Sequence, residues 1–204
     1  MLTLRKWGSR LQGHPHRTSL PGLETTSGPL GSGLSQAAGM ALAFQRDKKS
    51  NKVFVSLGDG EQDEGNHWEA VMFAGKHKLS NLIGITDRNY IQIDGNTEDV
   101  MPLDPLDKKY EAFNWNVKII DGHDMKQIIK VLKASRTNKG KPLMIIANTI
   151  PGKGVDFMEG KFEWHGKPPK PDEAELALEE IHAHEVEERG DWVTKHNKWK
   201  PIHK

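Results

Sequence analysis

Residues 53–65 read VFVSLGDGEQDEG, an apolar run that ends on a glycine-bracketed aspartate followed by three more acids. Val53–Leu57 is short, β-rich and almost continuously apolar, the pattern of a buried parallel strand. Asp59, Glu61, Asp63 and Glu64 follow at once, although like charges repel. A solvated turn is one reading, since Gly-Asp-Gly is common in turns. A cation site is the other, and the flanking elements bear on which applies.

Upstream, the small and apolar run LSQAAGMALAF (34–44) predicts a tightly packed helix, with glycines just before it. Downstream, Trp68, Val71, Met72 and Gly75 recur at helical spacing, which predicts a helix with one face buried and a glycine that permits close packing. Leu82–Thr86 reads as a second strand and leads into DRNYIQIDG (87–95). Residues 106–113 suggest a short helix, Trp115–Ile120 a third strand, and Pro142–Ala147 a fourth. Met125, Ile128, Ile129 and Leu132 repeat the helical period between the last two strands. Strands alternating with helices predict an α/β fold with a parallel sheet and right-handed crossovers. Residues 1–32 are rich in Gly, Pro, Ser and Thr and read as an irregular loop segment.

The expected organisation is one α/β domain over 1–170 and a charged helical tail over 171–204. In the tail, Ala174, Ala177, Leu178 and Ile181 make one apolar stripe among glutamates. Its last stretch, GDWVTKHNKWKPIHK, carries four lysines and two tryptophans and is read as a docked or solvated terminus rather than a nucleic-acid arm.

Composition narrows the function classes. The 204 residues suffice for one domain with its own core, with 35% apolar and 28% charged residues. A net charge of +1, from 29 basic and 28 acidic side chains, gives no electrostatic case for nucleic acid or an acidic membrane. The absence of cysteine excludes disulfides, thiolate metal sites and cysteine nucleophiles. No run approaches the roughly 18 apolar residues of a membrane span. The N-terminus has no apolar core resembling a signal peptide, so a cytoplasmic location is expected.

In a parallel α/β sheet, ligands bind beyond the carboxyl ends of the strands. Asp59 lies just past the first strand and Asn89 just past the second, so the fold brings both to one edge. Both offer hard oxygen ligands, suited to Mg²⁺ or Ca²⁺. One carboxylate and one amide are too few for an all-protein cage, and Mg²⁺ usually completes its shell from water and phosphate oxygens. Gly58 and Gly60 let backbone approach an anion closely. A Mg²⁺-bound diphosphate therefore competes with the solvated turn. An EF-hand loop from Asp59 fails at Glu64 and Ala70, and a G-x-G-x-x-G from Gly58 fails at Asp63.

The phrases GHPHRTSLPGLETTSGPLGSGLSQAAGMALA, LGDGEQDEGNHWEA, DRNYIQIDG and PGKGVDFMEGKFEWHG, in that order, resemble the transketolases. The likeness is strongest to the N-terminal chain of the split, two-subunit kind and runs from about Trp7 to Pro169. It implies the thiamine-diphosphate-binding fold, a parallel sheet flanked by helices on both faces. It also implies transfer of a two-carbon ketol unit from a ketose phosphate to an aldose phosphate. By this resemblance Asp59, the Asn89 side chain and the Ile91 carbonyl hold Mg²⁺, for which Ca²⁺ can substitute. Gly58 and Gly60 meet the diphosphate, and Gly28 and Leu30 line the cofactor near its rings. His14 and His165 match histidines that face cofactor and substrate, and Glu64 matches an interface glutamate that couples paired active sites. Glu61 and Asp63 match no strong family position and are read as solvated, and Asp87 and Arg88 as either ligand neighbours or a local ion pair, with the ion pair favoured.

Two departures from the family stand out. Only twelve residues precede Gly13, so histidines that the family carries further upstream, and part of its first helical layer, are expected to be missing. The pyrimidine-binding domain, whose glutamate activates the cofactor in the family, is expected to be missing as well. The resemblance therefore implies half of an active site, completed by a separate C-terminal transketolase subunit in a homodimer or heterotetramer. Two alternatives are an inactive or regulatory relative, and another thiamine-diphosphate enzyme such as deoxyxylulose-phosphate synthase or a 2-oxoacid dehydrogenase component. The TTSGPLG and WHG phrases argue against the second.

Overall fold

The computed structural model of the protein describes residues 2–195, with side chains described to residue 183. The elements run α1 (Gly33–Arg46), β1 (Val53–Gly58), α2 (Gly65–Lys76), β2 (Leu82–Arg88), β3 (Ile91–Gln92), β4 (Gly95–Asn96), α3 (Thr97–Val100), α4 (Leu106–Ala112), β5 (Asn116–Asp121), α5 (Met125–Ser135), β6 (Leu143–Asn148) and α6 (Pro171–Lys195). Short 3₁₀ turns cover Gly60–Asp63 and Phe162–Trp164. By contacts, one unit holds Met1–Tyr90 and Asn96–Thr149, and a second holds Ile91–Gly95 and Ile150–Lys204.

The first unit is built on four parallel strands in the order β1-β2-β6-β5. The paths from β1 to β2 and from β2 to β5 move one way across the sheet, and the path from β5 to β6 moves back. Right-handed crossovers that reverse direction must run over opposite faces. The core divides accordingly. Leu34, Ala38, Ala41, Val71, Ala74, Leu106 and Tyr110, from α1, α2 and α4, pack with Leu57, Leu82 and Met144 on one face. Val131 and Leu132 of α5 pack with Ile83, Leu143 and Ile145 on the other.

The α1 helix follows from a run of strong helix formers, and its small Ala37, Ala38 and Ala41 bring it close to the sheet. Gly75 does what its position in α2 suggests: a Cβ there would lie 1.9 Å from the Phe113 carbonyl oxygen, so only glycine allows this approach. Asp124 caps α5, accepting hydrogen bonds from the Lys126 and Gln127 amides at 2.8 and 3.2 Å.

Three details depart from the sequence reading. Met72 is exposed, and the buried face of α2 runs instead through His67, Ala70, Val71 and Ala74. Periodicity weighted Met72 because it is apolar and overlooked His67 because it is not. The α5 stripe is half covered, with Met125 and Ile129 exposed. β1 is an edge strand, buried at Val53 and Leu57 but exposed at Phe54, whereas only β6 is buried at nearly every position.

In the second unit, Phe157 and Trp164 stack edge-to-face at 5.3 Å, and Trp164 donates its indole N–H to the Phe157 carbonyl at 3.0 Å. The Asp156 amide donates to Glu180 of α6 at 2.7 Å. Ala177 of the expected stripe is buried, while Leu178 and Ile181 are exposed. The basic, tryptophan-bearing stretch from Gly190 lies outside the side chains described, and its last nine residues lie outside the described chain. Among the described residues, no helix is long and apolar enough to cross a membrane.

Candidate functional site

The register of the parallel strands lines up their carboxyl ends: Gly58 is opposite Asp87, and Arg88 and Asp121 are both opposite Asn148. This is the edge where an α/β sheet presents ligands. Asp59 lies on this edge just past β1, only 1% exposed. Its Oδ1 accepts the Gly60 amide at 2.8 Å. Its Oδ2 accepts the Tyr90 amide at 2.7 Å and Arg88 Nη1 at 3.0 Å. Burial pushes the Asp59 carboxyl above its ordinary value, while the Tyr90 amide and the Arg88 guanidinium pull it back.

Arg88 is buried as well, and it reaches Glu98 and, at 3.3 Å, Asp104 through its second terminal nitrogen. Its guanidinium lies 4.0 Å from the centroid of the Tyr90 ring. The expected pairing of Asp87 with Arg88 is therefore wrong. Successive strand residues point to opposite faces, so Arg88 turns inward to Asp59 while Asp87 accepts from the Thr149 hydroxyl and, at 3.2 Å, from Asn89 Nδ2. Asn89 thus lies one residue past β2, beside Asp87 and beyond the Asp59–Arg88 pair.

The loop carrying Gly28 and Leu30 docks on the acidic turn. Gly28 has φ +128°, and a Cβ built on it would sit 3.6 Å from the His14 ring. The Ser27 amide donates to the Pro15 carbonyl at 3.0 Å, which fastens the GHP phrase to the GPLG phrase. Gly31 has φ +73°, and a Cβ on it would lie 2.5 Å from Asn66 Oδ1 and 2.7 Å from Glu64 Cβ. Asn66 Nδ2 in turn donates to the Leu30 carbonyl at 3.4 Å. The first unit therefore brings together His14, Gly28, Leu30, Gly58, Asp59, Gly60, Glu64 and Asn89. Leu30, at 58% exposure, and His14 are open to solvent, as is Glu64 at the start of α2. Ile91, which is buried, and the exposed His165, whose amide donates to the Phe162 carbonyl at 2.8 Å, belong to the second unit.

Glu61 corrects the sequence reading. It is not a solvated bystander: Oε1 accepts the Gly58 amide at 2.8 Å and Oε2 accepts the Gly31 amide at 3.1 Å. Asp63 is exposed, as expected. Behind the turn lies a buried polar chain that periodicity missed. His67 Nε2 meets the Tyr110 hydroxyl at 2.8 Å, and that hydroxyl donates to Gln62 Oε1 at 2.8 Å. Gln62 Nε2 donates to the Gly58 carbonyl at 3.1 Å and to Thr86 Oγ1 at 3.2 Å. Burial holds the His67 imidazole down to about 4, so it is neutral at pH 7. The one signal in the sequence was a histidine at a core phase of α2.

The donor set fits a hard cation. The Asp59 carboxylate is fixed by three hydrogen bonds, and Oδ1, with only the Gly60 amide upon it, keeps a lone pair for a metal. A Cβ on Gly58 would meet nothing within 4 Å, so the turn borders open space. Among the described residues no cluster of three or more His, Cys, Asp or Glu could cage a metal. A cation at Asp59 would therefore draw further ligands from Asn89, backbone carbonyls, water and phosphate oxygens.

Comparison with known proteins gives this edge its family. The family model described as transketolase, thiamine diphosphate binding domain, matches residues 1–188. One of the named subunits of the apulose-4-phosphate transketolase of Actinobacillus succinogenes is 47% identical over 173 residues, covering 85% of this chain and 62% of that protein. The 6-deoxy-6-sulfo-D-fructose transketolase subunit SqwG of a Clostridium species is 47% identical over 163 residues, covering 80% of this chain and 59% of its own length. A crystal structure of Pichia stipitis transketolase in complex with sedoheptulose-7-phosphate is similar with a TM-score of 0.77 and 28% identity, over 96% of this chain and 35% of that one. The chain thus spans about three fifths of the two curated relatives named here. With nearly the whole chain matched and the thiamine-diphosphate-binding α/β fold in place, the protein belongs to the transketolase family, as a member of its thiamine-diphosphate-binding N-terminal domain.

Proposed function

We propose that this chain is the cofactor-binding half of a transketolase-type transferase. It moves a two-carbon ketol unit from a ketose phosphate to an aldose phosphate together with a separate pyrimidine-binding, C-terminal subunit. The observation that carries this reading is the Asp59 carboxylate, buried at the carboxyl end of β1 and fixed by Arg88 and the Tyr90 amide beside a glycine-rich turn. The two curated relatives are themselves named as subunits of transketolases, which supports a second chain.

In this reading Asp59, Asn89 and the Ile91 carbonyl hold Mg²⁺, and the Gly60 amide and Gly58 meet the diphosphate. Thiamine diphosphate, when bound, would supply the nucleophilic carbon and the electron sink for transfer of a two-carbon unit. This chain's residues orient that group: Gly28 and Leu30 line it, and the Gly31–Asn66 contact keeps the lining loop on α2. His14 and His165 hydrogen-bond the cofactor or move a substrate hydroxyl proton, since imidazole changes charge near neutral pH. Glu64 stands at the interface with the partner. The assembly is a dimer or heterotetramer that acts in the cytoplasm on sugar phosphates of the pentose phosphate type.

The test is reconstitution. The chain is mixed with its pyrimidine-binding partner, thiamine diphosphate, Mg²⁺ and a ketose–aldose phosphate pair. Ketol transfer that disappears with Asp59→Ala is expected. Cofactor binding without turnover in the complete mixture would contradict the proposal.

A further inference from the structure

Gly58, the last residue of β1, has both halves of its backbone taken by side chains of the turn that follows. Its N–H donates to Glu61 Oε1 at 2.8 Å, and its carbonyl accepts Gln62 Nε2 at 3.1 Å. We propose that Glu61 and Gln62 act together as the positioning clamp of the Gly58-Asp59-Gly60 turn, and that Glu61 also fastens the Gly28–Gly31 loop to it. This rests on the cofactor reading above and adds two positioning residues to it.

The geometry separates the two roles. Glu61 faces outward: its second oxygen accepts the amide of Gly31, thirty positions before it, at 3.1 Å, so one carboxylate joins the turn to a distant loop. Each bond is charge-assisted and roughly twice as strong as a neutral one. Gln62 faces inward and is fully buried. Its amide nitrogen bridges the Gly58 carbonyl to Thr86 of β2, and its oxygen accepts the Tyr110 hydroxyl, which His67 meets from α2. The Trp68 indole donates to the Gln62 carbonyl at 2.7 Å, which fixes the same residue from its backbone side. Every polar atom of the Gln62 side chain thus has a partner on a different element. Asp59 lies in the chain between Gly58 and the two residues that hold it, so the clamp fixes the backbone from which its carboxylate projects. Pre-set geometry removes an ordering cost from binding.

The two residues predict different binding losses. Gln62 holds the diphosphate turn to the core and makes no contact with the Gly28–Gly31 loop in these bonds, so Gln62→Met should weaken thiamine diphosphate and inorganic pyrophosphate alike, each about tenfold in the presence of Mg²⁺. Glu61 also holds the loop that lines the cofactor's rings. Glu61→Gln keeps one accepting oxygen and loses the other, and it should weaken thiamine diphosphate more than pyrophosphate. Calorimetric titration of the whole chain with each ligand reads both constants, and amide hydrogen exchange at Gly31 and Gly58 reads the clamp itself. Exchange at Gly31 should accelerate in Glu61→Gln and not in Gln62→Met, a split that a general loss of stability would not produce. Wild-type affinities retained in both variants would overturn the clamp while leaving the cofactor reading in place. A wild-type chain that binds neither ligand with Mg²⁺ would overturn both.

Discussion

His67 offers a pH test of the buried polar network behind the site. It is fully buried on α2, and its imidazole is held from an ordinary 6.5 down to about 4 by burial. Between those values the unfolded chain binds a proton that the folded chain refuses, so stability must fall as the pH drops through this window. At pH 7 this single group costs roughly 0.2 kcal/mol, and at pH 5 it costs about 2 kcal/mol, from the two pKa values alone. Other groups titrate over the same range, so the measurement is a difference. Urea unfolding of the wild type and of His67→Gln, at pH 7 and pH 5, cancels the nine remaining histidines. The wild type should lose about 2 kcal/mol more than the variant on acidification. Parallel losses in the two proteins, or an imidazole that titrates near 6.5 in the folded state by NMR, would refute the assignment of His67 as a buried neutral imidazole that donates to Tyr110.

Three further outcomes follow from close contacts. Gly75→Ala places a methyl 1.9 Å from the Phe113 carbonyl oxygen, a backbone atom, and should cost about 1–3 kcal/mol in urea unfolding. Arg88→Met leaves the buried Asp59 carboxylate without its ion pair, and should cost about 3–5 kcal/mol; a loss well under 1 kcal/mol would show that the pair is not buried in solution. Gly31→Ala must shift a φ of +73° and clear Asn66 and Glu64, so it should weaken thiamine-diphosphate binding in calorimetry.

The fold was largely legible because each strand carried its own period and each crossover its own apolar stripe. All four parallel strands stand within a residue or two of their expected places. Burial was less legible, since a strand's place in the sheet is a tertiary fact: nothing in Val53–Leu57 marks it as an edge strand. At the candidate site, the placement of Asp59 and Asn89 just past β1 and β2 was legible from glycine bracketing and spacing. The partner of Arg88 was not, because a charged neighbour in sequence points to the opposite face of a strand. Glu61 escaped for a related reason. Its bonds run to backbone amides of Gly58 and Gly31, and backbone partners leave no trace in side-chain patterns. His67, Tyr110 and Gln62 are each unremarkable alone, and only the packing of α2, α4 and the turn makes them one network.

The most direct test of the central claim is calorimetric titration of thiamine diphosphate into the chain with and without Mg²⁺, for the wild type and for Asp59→Asn. The account predicts binding that requires Mg²⁺ and is lost in Asp59→Asn, a substitution that removes the charge and keeps the side chain's size. Metal-dependent binding of wild-type strength in Asp59→Asn would contradict it.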